Sequence, residues 1–556
     1  MNRKNLTAAV LAGLAGAAGI AGTAQAVNLN PDGLGQVLIY PYYTINGGNA
    51  TLLSVVNTSE DAKAVKVRFL EGQNSKEVLD FNLYMSAYDV WVAAIVDGGT
   101  IDLDCNIDNG LYDNQCGVPH LVIEDTTCTV PYLFEAASTA PGVQAFLTFG
   151  LNDEGPDDIS RTTEGHFEMI EMGTLVGSSA DAATHSGGTP SDCQQLVDAW
   201  TQGPDDFFGS PDDGYWIYSA EEGNPALTDI EDPSGGLFGG ASIVNGQAGT
   251  MYSYDAIAIN GFSEDRMGAE GSLHSFPGTE LPSLNSGDQT TGYVFTQNGE
   301  VASDSFIRPV DAVSYVFMHD SMMNEYVTGG LTNGESEWVI TFPTKNFYVN
   351  AEEGDNAPFV STWGDTGEGV YGACEPVFLD TIWDQEEATP TEEPGDDRPP
   401  IVSPAPPDPD PDPSVPFELC WETSVIRFGS DPGDTTEILG SSLFTNIDNE
   451  ELDFEAGWAR IDLVEYPVDE LPAPDGNGVF DGTRFRDYLG FDTGADPDGD
   501  HQLGLPVTGF WVFKANNNYL FNDANEQVLA NYGGLFNHKY TRCFGGEGST
   551  CGRDED

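Results

Sequence analysis

Short runs of alternating apolar and polar residues dominate this chain. Within 63–69, Val65, Val67 and Phe69 point one way and Lys66 and Arg68 the other. Leu79, Phe81, Leu83 and Met85 likewise oppose Asp80, Asn82 and Tyr84. A period of two is that of a strand with one buried face. Turn signals at Asn46-Gly47-Gly48, Asn57-Thr58-Ser59 and Glu71-Gly72-Gln73 separate the runs at sandwich-like spacing. Strand character resumes at 143–149, 240–261, 312–318, 337–342, 418–428, 458–464 and 505–514. One stretch breaks it: Ser191 to Gln194 fits a capping box, and Cys193, Leu196, Val197 and Trp200 share one helical face. The expected fold class is mainly β, with several antiparallel β-sandwich (Ig-like) domains and few short helices.

The ends and one internal segment depart from this pattern. Residues 1–26 read as an export signal: Arg3 and Lys4, an apolar stretch from Leu6 to Ala24, and the small-x-small site Ala24-Gln25-Ala26. No later segment is apolar for long enough to span a bilayer, so no transmembrane segment is expected after cleavage. Residues 385–416 hold eleven prolines and nine acids, with almost nothing to pack. They serve either as a linker or as an excursion from a single domain. The expected division is therefore an N-terminal sandwich over 27–175, a second β-rich domain with one short helix over 176–384, and a C-terminal region over 417–556 that completes the second domain.

Export changes how the eight cysteines are read, because an oxidising compartment lets thiols pair. Spacing suggests Cys105 with Cys116, Cys543 with Cys551, Cys374 with Cys420 across the proline-rich segment, and Cys128 with Cys193. With no CxxC in the chain, disulfides are favoured over a zinc site.

The 91 acids against 19 bases give a formal charge of −72, which would repel a phosphate backbone and excludes nucleic acid as a natural partner. Since 385–416 contributes only nine acids, folded surfaces carry most of the charge, and stability is expected to rise with salt or with calcium. Calcium, which prefers hard oxygen ligands on flexible loops, has three candidate clusters: Asp104, Asn106 and Asp108; Asp475, Asn477 and Asp481; and Asp496, Asp498 and Asp500. None is an EF-hand.

Glu164, His166 and Glu168 share a strand face and could hold a metal or pair acid with base, although a polar outer face is the commoner explanation. Lys63, Lys66, Arg68 and Lys76 form a basic island, which is either neutralised by nearby acids within the domain, the commoner case, or docks onto another copy or another envelope component. Leu505 to Gly509 spells a sortase pentapeptide but lacks the apolar span and basic tail of a sorting signal, so it reads as a strand.

The stretch from Leu29 to Thr44, LNPDGLGQVLIYPYYT, resembles the mature start of an uncharacterised family of secreted proteins of Gram-negative bacteria. Segments 164–173, 235–249, 337–348 and 532–542 resemble that family too, whereas 102–115, 385–416 and 545–556 do not. The resemblance implies one architecture over most of the mature chain and supplies no catalytic residues.

No nucleophile elbow, HExxH or P-loop is present. The expected function is an exported acidic structural or binding protein of the cell surface or extracellular space, with calcium as a candidate stabiliser. The alternative is an extracellular polysaccharide hydrolase that uses a carboxylate pair, with some of its nine tryptophans as sugar platforms. Most of those tryptophans fall in strand or helix patterns, which favours core packing.

Overall fold

The computed structural model describes residues 26–101, 116–131, 142–204, 210–217, 224–295, 299, 301–329, 333–350, 358–367, 370–385, 402–403, 417–429, 433–447, 455–463, 501–516, 525 and 531–545. The fold is mainly β. An eight-stranded sheet (Asn28–Leu29, Val37–Thr44, Ala62–Glu71, Glu77–Met85, Cys128–Val130, Glu164–Leu175, Ile230–Glu231 and Ile257–Asn260) packs on a six-stranded one. The six strands are Ala50–Asn57, Val90–Asp97, Pro119–Ile123, Gly142–Ala145, Leu237–Asn245 and Thr250–Asp255. Every described pairing in both sheets is antiparallel. Their inward residues, among them Tyr40, Val67, Phe81, Phe167, Trp91, Ile95 and Ile243, form one core.

This sandwich does not end at 175. Strands Leu237–Asn245 and Ile257–Asn260 pair with Ala50–Asn57 and Val37–Thr44, so the expected boundary at 175/176 falls inside the unit. Local periodicity cannot reveal it, because the pairing spans about two hundred residues.

A second sandwich follows. A five-stranded sheet (Ser321–Val327, Glu375–Asp384, Phe417–Leu419, Ala456–Asp462 and Lys539–Thr541) faces a six-stranded one built from Gly334–Thr341, Val402–Ser403, Thr423–Phe428, Phe444–Ile447, Thr508–Asn516 and Asn531–Asn537. Thr423–Phe428 and Phe444–Ile447 run parallel. Strands from 417 onward thus pair with strands from before the proline-rich segment. Glu375–Asp384 and Phe417–Leu419, which flank most of that segment, pair with each other.

The central strands of the second six-stranded sheet are buried on both faces. Trp338, Ile340, Ile426 and Trp511 face its own sandwich, while Val339, Val425, Phe510 and Val512 join the core of the first. The 433–443 stretch fastens the join. Its Ile438 and Leu439 amides donate to Glu337 at 2.6 and 2.9 Å, and the Leu439 carbonyl accepts from Thr44 and Asn49.

The outer face of the eight-stranded sheet is also covered, by described residues of 176–234 and 262–317. Helices Gly177–Ala183 and Cys193–Ala199 pack there with Trp200 and Trp216. The second of these was expected, with its cap one residue later: the Asp192 side chain, not Ser191, accepts from the Gln195 amide. The 312–318 run was expected as a strand, but Pro309–Phe317 is a helix, buried throughout. A continuous apolar run fits either element, and here Pro309 in the first turn decides for helix.

Cys128–Cys193 and Cys374–Cys420 are disulfides. Cys116 and Cys543 are also disulfide-bonded, and their expected partners Cys105 and Cys551 lie outside the described residues. Among the described residues no helix is long and apolar enough to cross a membrane.

Candidate functional site

The sequence-derived sites fare unevenly. All nine candidate calcium ligands, Asp104, Asn106, Asp108, Asp475, Asn477, Asp481, Asp496, Asp498 and Asp500, lie outside the described residues. The basic island is no docking patch. Lys63, Lys66 and Arg68 are buried, and each is ion-paired: Lys63 with Glu171 at 2.6 Å, Lys66 with Asp80, and Arg68 with Glu77 and Glu168. Lys76 is half-buried beside them. The alternation correctly placed Lys66 and Arg68 opposite Val65 and Val67, but the covering stretch hides that face from solvent.

Glu164, His166 and Glu168 are buried too, and each has different surroundings. Glu164 accepts from the Tyr42 hydroxyl at 2.8 Å and from the Ser442 amide at 2.9 Å, while Glu168 pairs with Arg68. Burial, with Arg68 close by, pushes His166 down to about 3. A neutral imidazole between two separately committed carboxylates is no acid–base pair. The one cluster of metal-ligating residue types among the described residues is Cys374, Glu418 and Cys420. Its two sulfurs are bonded to each other, so no thiolate is left to bind a metal.

The groove that combines exposed rings with polar side chains lies in the second sandwich. It is a cavity of about 300 Å³ lined by Met323, Asn324, Glu325, Trp458, Trp511, Phe536, Asn537 and Lys539. Two strand edges meet there. Lys539–Thr541 pairs with Ser321, Met322 and Met323 only, so the next residues of that strand, Asn324 and Glu325, face the groove. Opposite them, Phe536 comes from the edge strand Asn531–Asn537.

Alternation sets which rings reach the surface. In Ala456–Asp462, Ala459 and Ile461 enter the core, which turns Trp458 outward with Arg460. Trp458 is 40% exposed and stacks on Trp383, with ring centres 6.5 Å apart. Phe536 is 52% exposed and stacks on buried Trp511 at 5.5 Å, which in turn stacks on Phe513 at 5.1 Å. Gly533 is required in this edge strand, since a Cβ there would lie 2.6 Å from the Tyr252 ring.

Fixed hydrogen bonds hold the polar wall. His538 lies beneath it, buried, with Nε2 3.0 Å from the Val339 carbonyl and Nδ1 3.0 Å from the Asn324 amide nitrogen. Burial pushes His538 down to about 3, so the ring is neutral. Nε2–H therefore donates to Val339, and Nδ1 accepts from Asn324. Asn324 Oδ1 in turn accepts from the Glu325 amide at 3.0 Å, and the Trp338 indole donates to the Glu325 carbonyl at 2.9 Å. Side chains thus satisfy these edge backbone groups, which closes the edge to an added peptide strand. The Glu325 and Lys539 side chains are exposed, and Lys539 has no ion pair with a described residue. Such a site offers flat apolar rings flanked by amides, one carboxylate and one ammonium.

The tryptophan count included Trp458 and Trp511 but did not single them out. The alternation of Trp458 with Ala459 and Ile461 was the available signal, because it placed a large ring on a polar face. Nothing local marked Asn324, Phe536, Asn537 or Lys539, which long-range pairing brings together.

Comparison of the chain with family models, with curated proteins and with solved structures returns no match.

Proposed function

We propose that this chain is an exported, acidic binding protein that takes a saccharide on the Trp458–Phe536 groove. The observation that carries the reading is two exposed rings, each backed by a second ring, beside a wall of fixed amide and charged side chains. Pyranose rings present an apolar C–H face to aromatic rings and hydroxyls to polar side chains, which is the chemistry this groove supplies. The leader at 1–26 supports export, which would bring the groove to extracellular or envelope polysaccharide.

The groove favours binding over hydrolysis. Cleavage of a glycosidic bond needs two carboxylates roughly 5–10 Å apart, and Glu325 is the single acid among the lining residues. Calcium on the three Asp/Asn clusters is a separate proposal about stability. It expects the melting temperature to rise at millimolar calcium, and an unchanged melt overturns it.

Titration with a panel of soluble neutral, acidic and amino polysaccharides, followed by tryptophan emission and calorimetry, tests the groove. At least one polysaccharide should bind, and Trp458→Ala should weaken it by about thirtyfold, the usual cost of about 2 kcal/mol for losing an aromatic anchor. The reading fails if none binds or if Trp458→Ala binds like the parent chain.

A further inference from the structure

The outward face of the first six-stranded sheet is a surface of another kind. Strand alternation puts Leu52, Ser54 and Val56 on it from one strand, and Val90, Val92 and Ala94 from the next. Phe238, Gly240, Ser242 and Val244 follow on the other side, then Met251 and Ser253. Register aligns them in rows: Ser253, Ser242, Leu52, Ala94, Val122 and Val143 form one, and Phe238, Val56 and Val90 another. Leu52, Val90, Val92, Val143, Phe238 and Met251 are between 42% and 59% exposed. The outer face of the eight-stranded sheet is covered, whereas no described residue covers the exposed rows of this face. Its charged groups, Asp255 and Glu124, sit at the rim, and none of these rows contains a lysine or arginine. For a chain with 91 acids, so large an uncharged area is an exception.

We propose that this face binds the same face of a second copy of the chain, forming a two-fold sheet-on-sheet dimer. Three observations select a second copy. First, the face has no internal charge with which to choose a charged partner, and an identical face brings none either. Secondly, it is self-complementary in relief. Ser54, Ala94, Gly240, Ser242 and Ser253 floor a trough of about 650 Å³, while Leu52, Val92, Phe238 and Met251 provide the ridges a trough accepts. Two twisted sheets crossing at about −30° place ridges over troughs by the packing found inside β-sandwiches. Thirdly, the area suffices. Six strands spaced about 4.8 Å apart, each presenting about 20 Å of length, give a footprint of roughly 500 Å² per copy and about 1,000 Å² in total. That is the lower limit for a specific interface, so the dimer is weak. An anionic lipid surface is a poorer occupant, since a charge of −72 is repelled from it.

The charge also sets the conditions for assembly. Two copies at −72 repel at long range, and salt screens this while leaving the apolar contact intact. Dimerisation therefore strengthens with salt, the reverse of an ion-paired interface. The dimer would carry two copies of the Trp458 groove, but the inference does not depend on what that groove binds.

Analytical ultracentrifugation of the mature chain at about 0.1 M and about 1 M salt tests this. The dimer constant should tighten by about tenfold or more at high salt. Leu52→Glu and Val92→Glu, which put like charges on both sides of the axis, should be monomeric at both salts with an unchanged melt. Should these variants fold poorly, Ser242→Cys with a short bis-maleimide should give a cross-linked dimer at high salt. The proposal is overturned if the parent is monomeric at both salts, if the dimer survives the glutamate variants, if Ser242→Cys fails to cross-link, or if the face takes up phosphatidylcholine vesicles while the chain stays monomeric.

Discussion

Replacing Lys63 by Met tests whether the basic island is architecture. Lys63 Nζ lies 2.6 Å from Glu171 Oε1 and 2.8 Å from Ser234 Oγ, and the Lys63 and Glu171 side chains are wholly buried. Glu171 also accepts from the amides of Ser234 at 2.9 Å and Gly235 at 2.7 Å, which ties the covering stretch to the sheet. At an effective dielectric near 20 the pair attracts by about 6 kcal/mol, most of which offsets its desolvation. Methionine keeps the volume but leaves the carboxylate uncompensated, which costs about 3–5 kcal/mol. The loss should depend on pH in a definite sense. Burial already raises the Glu171 pKa, and removing Lys63 raises it further. The variant therefore holds a proton on Glu171 where the unfolded chain does not. Its penalty is small near pH 4, grows as pH rises through the folded carboxyl value, and is greatest at neutral pH and above. Urea unfolding followed by tryptophan emission, from about pH 4 to about pH 8, measures it. A loss under about 1 kcal/mol at neutral pH, or one independent of pH, would refute the buried pair. Weaker partner binding without loss of stability would instead favour an exposed patch.

Other outcomes follow from the same contacts. Replacing Cys374 and Cys420 together by Ser frees a crosslink spanning 46 residues and should cost about 4 kcal/mol by loop entropy, read from the shift of the urea midpoint. His166, His274 and His538 are pushed down to about 3, 4 and 3 by burial, so each stays neutral when folded and takes up a proton when unfolded. These three rings should therefore contribute a loss of stability as pH drops below about 6.5, with a limiting slope of about 4 kcal/mol per pH unit near pH 5, against which the raised carboxyls of Glu77, Glu337 and Asp462 act with the opposite sign. Imidazole NMR titration of the folded chain should show all three rings still neutral at about pH 5, and a ring that titrates near 6.5 would contradict the assignment. Gly239→Ala should destabilise the first sandwich strongly, because its Cβ would overlap the Ser54 carbonyl and the Tyr40 hydroxyl. Thermal melting checks this, and an unchanged melt would show that the strands are not in close contact there.

Local pattern and tertiary context divide cleanly at particular residues. Period-two alternation marked the strands around Val65–Phe69 and Leu79–Met85, and the Cys193 helix was readable from its face and cap, because these signals span a few residues. The 312–318 run has a strand's look but lies mostly in the Pro309–Phe317 helix, because a fully buried run of either type is continuously apolar. The first sandwich could not be delimited, because its last strands return from 237–260 to pair with 37–57.

The same division holds for chemistry. Sequence by itself determined the mainly-β class, the charge of −72 and the strand face that Lys66 and Arg68 share. Tertiary structure decided what each side meets: Lys63, Lys66 and Arg68 are buried against acids of the same sandwich, nothing described covers Leu52 and Val92, and two strand edges frame Trp458 and Phe536. The physical reason is range. Alternation is fixed by backbone geometry within a few residues, whereas burial depends on segments hundreds of positions away.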